Sequence, residues 1–117
     1  MAMTSTVRKL QAVKAAHTAI WAFLASCIIA IPGAAMLGRF DIAWWASAVM
    51  AVELIVLIAS GGHCPLSLIA ARYTDDRRPN FDIYLPLWLA RYNRAIFGTI
   101  WTGGEILFLL LLAEALV

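Results

Sequence analysis

Apolar residues dominate three stretches of the chain, Ala16 to Leu37, Ala43 to Gly62 and Ala95 to Val117, and polar residues collect between them. Each stretch holds about twenty mostly apolar residues, the length that crosses roughly 30 Å of hydrocarbon at about 1.5 Å per residue. Within lipid a segment must satisfy its own backbone donors and acceptors, so the pattern predicts three transmembrane helices. The run Ile106-Leu107-Phe108-Leu109-Leu110-Leu111-Leu112 is apolar all round a helix and leaves no face for water. The expected fold is therefore all-α and integral to a membrane, a single domain over residues 1–117.

Local signals refine this outline. Val7 to Ala16 can continue as helix into the first span, and Pro32 is expected to kink or end that helix towards its outer end. The second span opens on Trp44-Trp45, suited to anchoring at headgroup depth, and stops at Gly61-Gly62. The connection over residues 63–94 is the least ordinary part. Cys64-Pro65 starts a new direction, Leu66 to Tyr73 suits a short amphipathic helix, and Asp75 to Asn80 reads as a turn. Phe81 to Tyr92 is aromatic and aliphatic but too short to span. Tyr84, Trp88 and Tyr92 recur every four residues, which predicts an interfacial helix along the membrane surface.

Composition agrees with a membrane solvent: 63% of residues are hydrophobic and 14% charged, against about one quarter charged in soluble domains. The net charge of +2 says less than its placement. Arg8, Lys9 and Lys14 precede the first span; Arg39 alone lies between the first and second; Arg72, Arg77, Arg78, Arg91 and Arg94 lie between the second and third. The positive-inside rule then places the N-terminus and the long connection in the cytoplasm and the C-terminus outside, in a multi-pass protein of a bacterial inner membrane. Asp75, Asp76 and Asp82 interrupt the basic connection, which favours lipid headgroups over nucleic acid as its partner. Leu24-Ala25-Ser26-Cys27 has the form of a lipoprotein cleavage box, but the apolar run continues through Ile31, so cleavage is not expected. Cys27 and Cys64 differ by about ten residues of helical depth, so no disulfide is expected and Cys64 is a free thiol in a reducing compartment.

Three polar residues fall at similar depth. Counted from the cytoplasmic boundary, Cys27, Glu53 and Glu105 each lie about ten residues in, roughly 15 Å deep and near the bilayer centre. A carboxylate there must be protonated, paired or facing a polar cavity. Three readings stand: neutral glutamates bonding Ser47, Ser60, Thr99, Thr102 or a carbonyl and gluing helices; contacts to a basic partner subunit; or proton and ligand chemistry. His17 and His63 both sit near the cytoplasmic boundary, where two imidazoles could ligate haem or another hydrophobic cofactor, though no cofactor is required by the sequence and no metal spacing occurs. Thr18, Ala22, Ser26, Ala30, Ala34 and Gly38 form a small-residue strip along the first span, and Ala95, Thr99 and Gly103 a second strip on the third; both suit close helix packing. No sequence motif provides a nucleophile with an adjacent base, a phosphate loop or a zinc-protease pattern.

Cys64-Pro65-Leu66-Ser67 after a span, followed by a basic connection and Phe81-Asp82-Ile83-Tyr84-Leu85-Pro86-Leu87 before the next, resembles a family of small uncharacterised bacterial membrane proteins. That family carries a Cys-Pro-Leu-Thr signature and a later Tyr-Leu-x-Pro-like segment. The resemblance covers about the second half of the chain, with Ser67 where the family has Thr, and implies a connection of defined structure. Two functions follow from the residues. The leading one is an accessory subunit that packs its strips against a larger membrane complex, such as an electron-transfer or transport assembly, with the bilayer and other membrane subunits as partners. The other is a small homo-oligomer that handles protons or binds a hydrophobic cofactor through Glu53 and Glu105.

Overall fold

The computed structural model describes the backbone of residues 2–117 and side chains from Ser5 onward. The described residues form four helices and no strand: α1 (Ala2–Met36), α2 (Phe40–Ala59), α3 (Pro65–Ala70) and α4 (Leu87–Leu116). Three of these are long and apolar enough to cross a membrane, namely Ser5–Met36 within α1, α2 and α4. Only 28%, 17% and 11% of their most apolar windows are buried within the protein. Such extensive uncovered apolar surface is incompatible with a monomer in water and compatible with a multi-pass membrane protein.

Glycine sets two of the helix ends. Gly38 adopts φ 77°, beyond which the Arg39 N–H reaches the Ala34 carbonyl at 2.8 Å and the Gly38 N–H reaches Ala35 at 3.2 Å. Gly61, at φ 73°, ends α2 in the same way: the Gly62 N–H bonds the Leu57 carbonyl at 2.9 Å and the Gly61 N–H bonds Ile58 at 3.1 Å. Each end satisfies two carbonyls that a helix otherwise leaves open, through a backbone geometry that costs glycine nothing. Pro32 does not end α1, which continues to Met36.

The chain packs as two compact units, Met1–Ala22 with Ile55–Tyr92, and Phe23–Leu54 with Asn93–Val117. In the second of these, Ile28, Ile31, Met50 and Phe108 are buried among Ala34, Ala35, Ala43 and Ala46. The alanines let α1 and α2 approach closely, and Phe108 of α4 fills the remaining space, its ring edge-on to Trp44 at 5.4 Å and stacked with Phe40 at 6.1 Å. Gly104 lies against the Pro32 ring so closely that a Cβ there would stand 2.9 Å from Pro32 Cδ.

In the other unit, a coil segment over residues 81–86 lies along α1. The Tyr84 N–H donates to Thr18 Oγ1 at 2.9 Å, the Thr18 hydroxyl donates to the Lys14 carbonyl at 2.7 Å, and Lys14 Nζ sits 4.6 Å from the Tyr84 ring centroid. The Asn80 side-chain amide donates to the Leu85 carbonyl at 3.0 Å and closes the bend. These contacts bury Asp82 and Ile83. A separate interfacial helix over Phe81 to Tyr92 is therefore absent. Pro86 disfavours helical geometry at Leu85 and offers its carbonyl to the Ala90 N–H at 3.0 Å, so helix starts at Leu87. Tyr84 belongs to the coil, and Trp88 and Tyr92 to the first turns of α4. The short helix expected over Leu66 to Tyr73 is present as α3, ending at Ala70.

Candidate functional site

The densest polar arrangement joins α1 to the connection after α2. His17, on α1, directs Nδ1 to the Asp82 backbone carbonyl at 3.1 Å, with Asp82 Oδ2 at 3.8 Å. The Ser67 hydroxyl, on α3, donates to that same Oδ2 in a short hydrogen bond. Asp82 is the one buried charged residue among those described, and His17 and Ser67 are what hold its carboxyl there. The bond to the carbonyl puts a proton on Nδ1 of His17, leaving Nε2 as the ring's acceptor.

Cys64 completes the cluster. It sits half-buried just before α3, where its carbonyl accepts the Ser67 N–H at 2.9 Å. Burial pushes the Cys64 thiol up, but the His17 ring, by hydrogen bond and by charge, and the nearby N–H groups of Leu66 and Ser67 together bring it below the ordinary thiol value. The result is a chain of contacts, imidazole to backbone carbonyl and carboxyl to hydroxyl, drawn from positions 17, 67 and 82, with Cys64 capping the α3 helix that carries Ser67. Asp82 and Ser67 were invisible as partners because each meets His17 or its neighbour only across a tertiary contact.

The remaining candidates are dispersed. His63 is exposed, and no hydrogen bond or ion pair links it to His17 among the described residues. Among these residues no group of three or more His, Cys, Asp or Glu is arranged to hold a metal ion. Glu105 accepts a hydrogen bond from the Trp101 indole of its own helix at 3.0 Å. Thr99 and Thr102 do not serve it, because their hydroxyls donate to the Ala95 and Gly98 carbonyls at 2.6 and 2.8 Å. Among the described residues, Glu53 is half-buried with no hydrogen bond or ion pair, and Ser47 Oγ is buried with no partner. Cys27 faces, with Ser26, a shallow groove of about 290 Å³ between α1 and α2 walled by Phe23, Ile42 and Trp45. Cys27, Glu53 and Glu105 make no hydrogen bond or ion pair with one another.

The small-residue strips divide by use. Ala34 is buried in the α1–α2 contact and Ala30 packs beside it; Ala22, Ser26 and Gly38 stay exposed, and Thr18 serves as the acceptor for Tyr84. On α4, Ala95, Thr99 and Gly103 are all exposed, while Gly104, one position on, takes the contact with Pro32. Trp45 is exposed, and Trp44 is exposed apart from its contact with Phe108. Compared with known proteins, the chain matches no family model, no curated protein and no solved structure.

Proposed function

We propose that the chain is a small multi-pass subunit of the bacterial inner membrane that packs laterally against other membrane proteins, in an electron-transfer or transport assembly or one of similar kind. The observation that carries this reading is the register of α4. Its internal contact uses Gly104 and Phe108, and the neighbouring face, Ala95, Thr99 and Gly103, is left uncovered. In lipid, where apolar burial between helices has little driving force, such a face gains from a second helix whose backbone can approach it closely. The basic residues at 72, 77, 78, 91 and 94 support a cytoplasmic placement for the connection.

Native purification through a C-terminal tag in mild detergent, with mass spectrometry of the eluate, tests the reading. Stoichiometric membrane subunits that are lost on Gly103→Leu are expected. A monodisperse single-chain species without co-purifying protein would overturn it. A second reading, a homo-oligomer handling protons or a hydrophobic cofactor, is favoured by one observation: the half-buried Glu53 carboxyl has no hydrogen-bond or ion-pair partner among the described residues. A self-associated eluate with visible absorbance, or loss of activity in Glu53→Gln and Glu105→Gln, would select that reading.

A further inference from the structure

Outside the packing reading, three features stand out: the groove beside Cys27, the Glu53 and Ser47 side chains, and the coil over residues 81–86 where it lies on α1. The groove is apolar with nothing to indicate its occupant, and no hydrogen bond joins Glu53 to Ser47 among the described residues. The coil carries an inference.

We propose that the coil over residues 81–86 is a proton-controlled strap, clasped to α1 while His17 is an imidazolium and loosened when His17 loses its proton. The proposal is independent of lateral packing. Lys14, His17 and Thr18 are spaced three and four residues from the first, so one side of α1 presents all three. Lys14 Nζ sits 4.6 Å from the Tyr84 ring centroid, Thr18 Oγ1 accepts the Tyr84 N–H at 2.9 Å, and His17 meets Asp82. Of these three clasps, only the one at His17 changes charge near neutral pH.

The geometry at His17 favours the charged ring. Nδ1 stands 3.1 Å from the Asp82 carbonyl oxygen, which can only accept, so the contact is a hydrogen bond only while Nδ1 carries a proton. An imidazolium always carries one there, whereas a neutral ring does so in one of its two tautomers. Asp82 Oδ2 lies 3.8 Å from the same nitrogen, and the Ser67 hydroxyl donates to that oxygen. A buried carboxylate beside a neutral donor gains most from a cation at this position. The titratable groups around the ring come from each neighbouring element: Asp82 from the coil, Cys64 from the residues before α3, and Lys14 from the preceding turn of α1. Asp82 favours the imidazolium, and Lys14 directs its charge to the Tyr84 ring. Loosening uncovers Asp82 and Ile83, both buried in the clasped form, and frees the Thr18 hydroxyl.

The test uses the full chain in detergent and backbone hydrogen exchange, read by mass spectrometry on peptides spanning residues 81–85 and corrected for the intrinsic effect of pH. Charge-assisted hydrogen bonds are about twice as strong as neutral ones. Protection of the Tyr84 amide should therefore fall by about three- to tenfold between about pH 5.5 and about pH 8.5, the range over which an imidazole titrates. Protonation of His17 is followed in parallel by the NMR signals of its ring, with the exposed His63 as internal reference. The two midpoints should coincide in the native protein, a comparison that needs no substitution and so stands even where a variant fails to fold. In His17→Gln, whose amide can donate to the Asp82 carbonyl without charge, protection should no longer depend on pH, whereas Cys64→Ser should keep the transition. Protection independent of pH in the native protein, a midpoint apart from that of His17, a transition lost in Cys64→Ser, or a parallel loss of protection along α2 would each overturn the proposal.

Discussion

Adding a single methyl group at Gly104 tests the packing of α4 quantitatively. An ideal Cβ there stands 2.9 Å from Pro32 Cδ and 3.3 Å from Cγ, whereas apolar carbons are at rest about 3.5–4.0 Å apart. The obstructing atoms belong to a ring fixed to the α1 backbone and cannot rotate away, so the helices must separate. Overpacking of this kind costs about 1–3 kcal/mol. Gly104→Ala also gains helix propensity, about 1 kcal/mol in soluble hosts, which would blur a comparison with the native protein. Gly98→Ala removes that ambiguity: it lies on the same helix with nothing within 4 Å of its added Cβ. It receives the propensity gain without the clash. Reversible unfolding in mixed micelles with increasing sodium dodecyl sulfate, followed by tryptophan fluorescence, should therefore place Gly104→Ala below Gly98→Ala by about 1–3 kcal/mol. Equal stabilities, within about 0.5 kcal/mol, would refute the close contact between Pro32 and Gly104.

Three further outcomes follow from other contacts. Ser67→Ala leaves the buried Asp82 carboxyl short of a donor and should lower stability by about 1–3 kcal/mol in the same unfolding assay, whereas Ser67→Thr keeps the hydroxyl and most of the stability. Glu105→Gln retains an oxygen acceptor for the Trp101 indole and should leave the unfolding midpoint and Trp fluorescence unchanged; Glu105→Leu removes the acceptor and should shift both. Asp76 is held at about 2 by the Arg78 side chain at 2.7 Å and the Arg78 backbone N–H; Arg78 is exposed and Asp76 partly so. Its carboxylate is bound more tightly in the folded state. Any contribution is therefore complete above pH 3.8 and lost as pH falls through about 2; solvent screens the pair, so Asp76→Asn should lower neutral-pH stability only slightly, and that difference should vanish near pH 2.

What the sequence made legible was whatever depends on local repetition. Long apolar runs specify helices of membrane length, and Gly61-Gly62 marks a helix end, because both signals act within one or two turns. Gly38, read as part of a packing strip, ends α1 for the same local reason that Gly61 ends α2, a signal the four-residue spacing concealed. The four-residue recurrence of Tyr84, Trp88 and Tyr92 was misleading because Pro86 stands between the first and second members, and its effect on Leu85 outweighs an aromatic periodicity. Register was a second obstacle. Gly103 and Gly104 are neighbours, and only the position of Pro32 on another helix decides which of them faces inward. The His17, Cys64, Ser67 and Asp82 cluster lay beyond sequence reading altogether. Its members come from two helices and two connections, and nothing in the sequence across the 65-residue separation of His17 and Asp82 foretells the contact.

The most direct measurement is site-specific photo-crosslinking from Thr99, at the centre of the uncovered α4 face, in native membranes. A discrete protein adduct that disappears in Gly103→Leu is the result expected of a laterally packed subunit. Adducts to lipid alone would contradict it, and would mean that the face meets only the bilayer.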